Sequence, residues 1–168
     1  MVAEAEAAKV RWEQKTTLQK ERFKFEQFPE IGVTYLSFDP QHGFQVTYYE
    51  NEDRSWLWYG GNSVALAAAW KKVEATNSSS QHFDKKLCYK YGPNTVNRAT
   101  NQQGGDFKCT LSINLLNLTV GSLKGDIFKL SSGRVPYKRE RCDAPDEFEI
   151  MDEYALVRPA TDCRKLHN

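Results

Sequence analysis

Four cysteines, Cys88, Cys109, Cys142 and Cys163, all fall in the second half of the chain. The interval from Cys88 to Cys109 equals that from Cys142 to Cys163, and none of the four belongs to a C-x-x-C pair. His42, His82 and His167 do not cluster with them. That spacing argues for stapled loops over a metal site, and for an oxidising compartment. No metal or cofactor is expected. Four cysteines allow three connectivities; Cys88–Cys109 and Cys142–Cys163 are the expected pair. Each would close a loop of about 20 residues and contribute about 3 kcal/mol.

The chain of 168 residues fits one domain with a hydrophobic core of its own. Hydrophobic residues make up 40% and charged residues 27%, which excludes a disordered tail. No apolar run approaches the roughly 18 to 20 residues of a spanning helix. A net charge of +1 supplies no global field for nucleic acid or anionic lipid. The basic run Lys138, Arg139, Arg141 is followed by Asp143, Asp146, Glu147 and Glu149, and reads as a solvated surface. The opening Met1-Val2-Ala3-Glu4 has neither the basic nor the apolar region of a signal peptide. Two explanations compete: a cytosolic protein with reduced thiols, or a chain that begins after a removed signal. The cysteine spacing favours the second, so a periplasmic or secreted location is expected.

Residues 1–28 are rich in Ala, Glu, Lys, Gln and Arg and read as a helical extension that ends before Pro29. Val10, Leu18, Phe25 and Phe28 are too sparse for a continuous buried stripe, so the helix is expected to dock loosely. Residues 29–168 read as a single β-rich domain. Ile31, Val33 and Tyr35 alternate with small or polar neighbours, as do Phe44, Val46 and Tyr48; Trp56 to Tyr59 follows, and Asn51-Glu52-Asp53 and Gly60-Gly61-Asn62 supply turns. Residues 63–75 fit a helix by alanine content and a strand by alternation, and both stay open. Phe83–Tyr91 and Phe107–Val120 read as strands on either side of a long polar loop, Gly92–Gly105, which would bring Cys88 and Cys109 within bridging distance. Ser131-Ser132-Gly133 between Gly125–Leu130 and Arg134–Tyr137 is a hairpin signal. The remainder reads as an irregular tail.

Trp56, Trp58 and Tyr48 are the candidate ligand-binding aromatics, since exposed rings beside polar loops can stack on sugars. The competing assignment places both tryptophans in the core. Carboxylates are plentiful (Asp39, Glu50, Glu52, Asp53, Asp106, Asp126), but nothing in the sequence fixes two of them at the spacing of a glycosidase pair. Asp53 and Asp126 sit beside turns, where Asp commonly caps backbone. Nucleophile, zincin and phosphate-loop motifs are all missing from the sequence.

The series Trp56-Leu57-Trp58-Tyr59-Gly60-Gly61-Asn62, Trp70, Leu87-Cys88-Tyr89-Lys90-Tyr91-Gly92, Asn94-Thr95, Gly104 to Cys109, Gly125-Asp126-Ile127-Phe128 and Arg134-Val135-Pro136-Tyr137 before Arg141-Cys142 resembles a family of small exported alphaproteobacterial proteins classed as a domain of unknown function. The resemblance spans roughly 43 to 145. It implies an envelope location, a β-rich fold and a strand around Trp70, and it implies no activity.

The expected fold is therefore mainly β: an antiparallel meander or small barrel with an N-terminal helix and disulfide-stapled loops. The expected function is non-catalytic binding of a partner protein or cell-surface polysaccharide through the aromatic strands and the 92–105 loop, with Trp56, Trp58, Tyr48 and Asn94 as ligand-binding residues. Alternatives are a small glycan-acting enzyme with paired carboxylates and a cytosolic interaction module with reduced cysteines.

Overall fold

A computed structural model describes residues 2–39, 42–74, 85–93, 95–97 and 102–150. Helix α1 (Val2–Arg22) carries Glu4 in its first turn and Lys20 and Arg22 in its last, the arrangement that complements the helix dipole. Lys24, at φ 50°, breaks the helical path, and residues 23–27 form turns. The helix is thus shorter than the 28-residue extension read from the sequence. Its docking is polar. Gln19 donates through Nε2 to the carbonyls of Leu116 (2.9 Å) and Thr119 (2.7 Å), and Asn117 donates through Nδ2 to the Thr16 hydroxyl (3.0 Å).

Strands β1 (Val33–Asp39), β2 (Gly43–Tyr49), β3 (Arg54–Tyr59), β4 (Leu66–Glu74) and β5 (Lys85–Tyr91) follow as an antiparallel meander. The 63–75 ambiguity resolves as a strand, because β4 is paired on both sides, with β3 and β5. The 92–105 segment is not plain loop: it carries a two-stranded ribbon of β6 (Val96–Asn97) and β7 (Gln102–Gln103). The expected strand from Phe107 to Val120 is instead β8 (Lys108–Leu111), helix α2 (Ser112–Leu118) and β9 (Thr119–Lys124). β8 pairs with β5 and β9 with β1, so the two occupy opposite edges of a seven-stranded sheet, in the order β8-β5-β4-β3-β2-β1-β9. A seven-residue helix rises only about 10 Å, so the sheet must curl into a half-barrel for α2 to link its edges. Cys88 and Cys109 are register partners on β5 and β8 and form the expected disulfide. Cys142 is buried and no described cysteine is free; Cys163, its expected partner, lies outside the described residues, as do His82 and His167.

Strand alternation sends two hydrophobic sets to opposite sides. On the concave side Tyr35, Tyr49, Trp70 and Leu87 pack with Phe23, Phe25 and Phe28 and with Ile113 and Leu116 of α2. Edge-to-face contacts run from Phe28 to Tyr35 (5.1 Å), Tyr35 to Tyr49 (5.8 Å) and Tyr49 to Trp70 (4.9 Å). On the convex side Leu36, Phe44, Val46 and Trp58 pack with Phe128, Leu130 and Phe148 from the segment that follows β9.

That segment is not the hairpin expected from Ser131-Ser132-Gly133. Asp126 captures the backbone N–H groups of Leu130 (2.8 Å) and Ser131 (3.1 Å) and the Ser131 hydroxyl (2.6 Å), closing a 3-10 turn at Leu130–Ser132. A single bridge joins Arg134 to Val64. From there the chain runs over the convex face as a strap. Arg139, read as a surface cation, is buried there. It donates through Nη1 to the Phe44 (2.9 Å) and Asp143 (3.0 Å) carbonyls and through Nη2 to the Trp58 carbonyl (2.9 Å). Burial pushes its pKa down to about 10, with Tyr137 and Asp143 opposing the shift. The strap lies so close to the sheet that a Cβ on Gly43 or Gly60 would run into the Arg141 backbone.

Candidate functional site

The concave face holds a cavity of about 450 Å³. The register assembles its walls. Ser37 stands opposite Gln45 on β1 and β2, Tyr35 opposite Thr47, and Tyr49 opposite Ser55 on β2 and β3. The last row continues through Ala68 to Tyr91, so two small residues lie between two tyrosines. Leu57, Tyr89, Lys108 and Thr110 complete the far wall, with Phe28, Leu115 and Thr119 at the base.

Two features separate this cavity from an ordinary core gap. The first is its polar complement. Ser37, Gln45, Thr47 and Ser55 make no side-chain hydrogen bond among the described residues, and Ser55 is only 2% exposed. Ser37, Gln45 and Thr47 are half-buried, and the polar groups of all four open onto the cavity, where a ligand or solvent can meet them. The second is the state of its tyrosines. Tyr49 and Tyr89 share a hydrogen bond of 2.6 Å between their hydroxyls. Burial raises both pKa values, well above the ordinary value for Tyr49. Tyr35 accepts from the Glu30 backbone N–H (2.9 Å), and burial pushes its pKa up to about 12. All three rings are neutral donors and apolar walls over the physiological range. Among the described lining residues Lys108 is the one cation, and none is Asp, Glu or His.

Trp56, Trp58 and Tyr48, expected to bind ligand, lie on the opposite face. Trp58 is fully buried on the convex face, against Phe128 (5.3 Å), Tyr137 (5.2 Å) and the Arg139 guanidinium (4.7 Å). Trp56 is half-buried on the same face, donates through Nε1 to Glu50 (2.9 Å), and has the Arg54 guanidinium 5.8 Å from its ring. Tyr48 is the register partner of Trp56, half-buried, and its pKa is raised by burial, then by Asp126 and Glu50. Asn94 lies outside the described residues. The cavity's polar lining does not stand out in the sequence because Gln45, Thr47 and Ser55 alternate with Val46 and Trp58, and alternation alone labels a polar set as the solvent face.

The carboxylates do not converge. Asp126 is committed to its turn, Glu50 accepts from Trp56, Asp39 faces His42 at 3.4 Å, and Glu52, Asp53 and Asp106 are exposed. Among the described residues no three His, Cys, Asp or Glu side chains gather where a metal ion could sit, and no helix is long and apolar enough to cross a membrane. Compared with known proteins, the chain matches no family model, no curated protein and no solved structure.

Proposed function

We propose that this is a non-catalytic binding protein of the cell envelope, periplasmic or secreted, which takes a saccharide unit of a cell-surface polysaccharide into the concave cavity. The observation that carries the reading is the set of unpartnered polar side chains, Ser37, Gln45, Thr47 and Ser55, beside the tyrosine rings. A sugar ring needs that mixture. Its hydroxyls exchange hydrogen bonds with short polar side chains, while its C–H faces lie on aromatic rings. The volume falls within the range of roughly 300 to 1,000 Å³ common to small-ligand sites. The aromatic strands keep the role expected of them, with Tyr35, Tyr49, Tyr89 and Tyr91 supplying the rings in place of Trp56 and Trp58. The Cys88–Cys109 bridge and the likeness to small exported alphaproteobacterial proteins support the location. The glycosidase alternative finds no carboxylate among the cavity's described lining residues, and the cytosolic alternative has to account for the bridge.

The test is a double variant, Gln45→Leu with Ser55→Ala, assayed by calorimetry against a panel of mono- and disaccharides and by urea denaturation. Groups held for a ligand cost the free protein stability. The variant is therefore expected to lose saccharide binding while its unfolding midpoint stays level or rises. A fall in stability would make these residues structural, and a wild-type protein that binds nothing in the panel would remove the saccharide reading.

A further inference from the structure

We infer a second site, on the part of the convex face that the strap leaves uncovered, which binds an acidic polysaccharide chain. Beyond the Arg134–Val64 bridge, the strap packs against β1, β2 and β3. On β4 and β5 the outward positions are Ala67, Ala69, Lys71, Val73, Lys86, Cys88 and Lys90, and Arg54 of β3 shares their face as the register partner of Ala69. Ala69 is in turn the partner of Lys90, so Arg54 and Lys90 flank an alanine, on strands about 10 Å apart. A groove of about 600 Å³ follows this line, floored by Ala67 and Ala69 and bounded by Arg54, Lys90, Gly92 and Pro93.

The cations are gathered, not scattered. The Lys71 and Lys90 ammonium groups converge on one ring, 4.3 Å and 5.0 Å from the Phe107 centroid. Bringing like charges together on neighbouring strands is unfavourable unless an anion or a ring offsets the repulsion. No carboxylate occupies an outward position of β3, β4 or β5, and Arg54, Lys71 and Lys90 form no ion pair among the described residues. The apolar floor with cations on both banks suits a chain that carries carboxylates along its edges and presents sugar faces to the alanine methyls. The recessed floor does not match a flat membrane. Duplex nucleic acid wants a broad positive field, which a chain of net charge +1 lacks.

The experiment is affinity electrophoresis of the wild-type protein in gels containing polygalacturonate or neutral dextran, at low and high salt. Retardation by polygalacturonate alone, relieved by salt, is expected. An Arg54→Ala, Lys71→Ala, Lys90→Ala variant should bind roughly tenfold more weakly, as expected for three solvent-facing charge contacts. A control losing the same charge elsewhere (Arg11→Ala, Lys124→Ala, Lys138→Ala) should bind like wild type, as should the Gln45→Leu, Ser55→Ala cavity variant, which separates this site from the cavity. No retardation by polygalacturonate, or equal loss in the control, overturns the inference. So does groove-dependent binding to phosphatidylglycerol vesicles or to a DNA duplex that exceeds binding to polygalacturonate.

Discussion

Arg139→Ala tests whether the strap holds the convex core or merely lies on it. The guanidinium makes three hydrogen bonds to carbonyls, those of Phe44, Asp143 and Trp58, and stacks 4.7 Å from the Trp58 ring. Hydrogen bonds from a charged donor contribute about 2 kcal/mol each, and a buried cation–π contact about 1 kcal/mol, for a gross loss of about 7 kcal/mol. Against this stands the cost of desolvating the charge. The drop in pKa to about 10, already net of the opposing Tyr137 and Asp143 charges, puts that cost at no less than roughly 3 kcal/mol at 1.36 kcal/mol per unit. The net loss is then at most about 4 kcal/mol, within the range seen when one partner of a buried charged network is removed. Urea denaturation measures it, with the slope checked so that a midpoint shift reports stability alone. Arg139→Lys should recover little, since one ammonium cannot reproduce a planar fork that reaches carbonyls on both sides. A loss below about 1 kcal/mol, or a lysine variant equal to wild type, would refute this account of the strap.

Peptide mapping of denatured, unreduced protein after alkylation should find no label on Cys88 or Cys109, and replacing both with alanine should cost about 3 kcal/mol, the entropy of closing a loop of this length; labelling at either position would refute the bridge. The tyrosines predict an alkaline limit. Tyr35, Tyr49 and Tyr89 all have folded pKa values raised by burial, so their neutral forms favour the fold fully below the ordinary tyrosine pKa. That contribution is lost as pH rises from about 10 through about 12, and Tyr35 alone accounts for roughly 3 kcal/mol of it. Tyrosinate absorbance and circular dichroism should therefore change together above pH 10; early ionisation of all tyrosines with the fold intact would contradict the burial.

The meander was legible where turn chemistry and alternation agreed. Asn51 in the β2–β3 turn accepts the N–H groups of Asp53 (2.8 Å) and Arg54 (2.9 Å), and the flanking strands pair as their patterns indicate. Three segments were not legible. In β4 the alanines favour helix, and pairing on both edges overrides a preference of less than about 1 kcal/mol per residue. In α2, Ile113, Leu116 and Asn117 do share a helical face, but seven residues without a side-chain cap give too little period to tell from a strand. In α1 the docking residues are Thr16 and Gln19, so a search for an apolar stripe finds nothing.

The cavity was hidden for a related reason. Alternation tells two faces apart, but it assumes that the apolar face is the inside of the curl. Here Leu36, Phe44, Val46 and Trp58 point outward and are buried by Phe128, Leu130, Phe148 and Arg139 from a segment distant in sequence. Once the strap supplies that burial, the concave face no longer has to be wholly apolar. The Phe23–Phe28 turn and α2 fill one end of it, and the other end is left to Ser37, Gln45, Thr47 and Ser55. Unpartnered polar groups there are tolerable because they open onto the cavity, where solvent satisfies them. The two faces are thus coupled through stability alone. Loosening the strap by Arg139→Ala should lower the unfolding midpoint yet leave cavity binding at low temperature intact, whereas Gln45→Leu with Ser55→Ala should do the reverse.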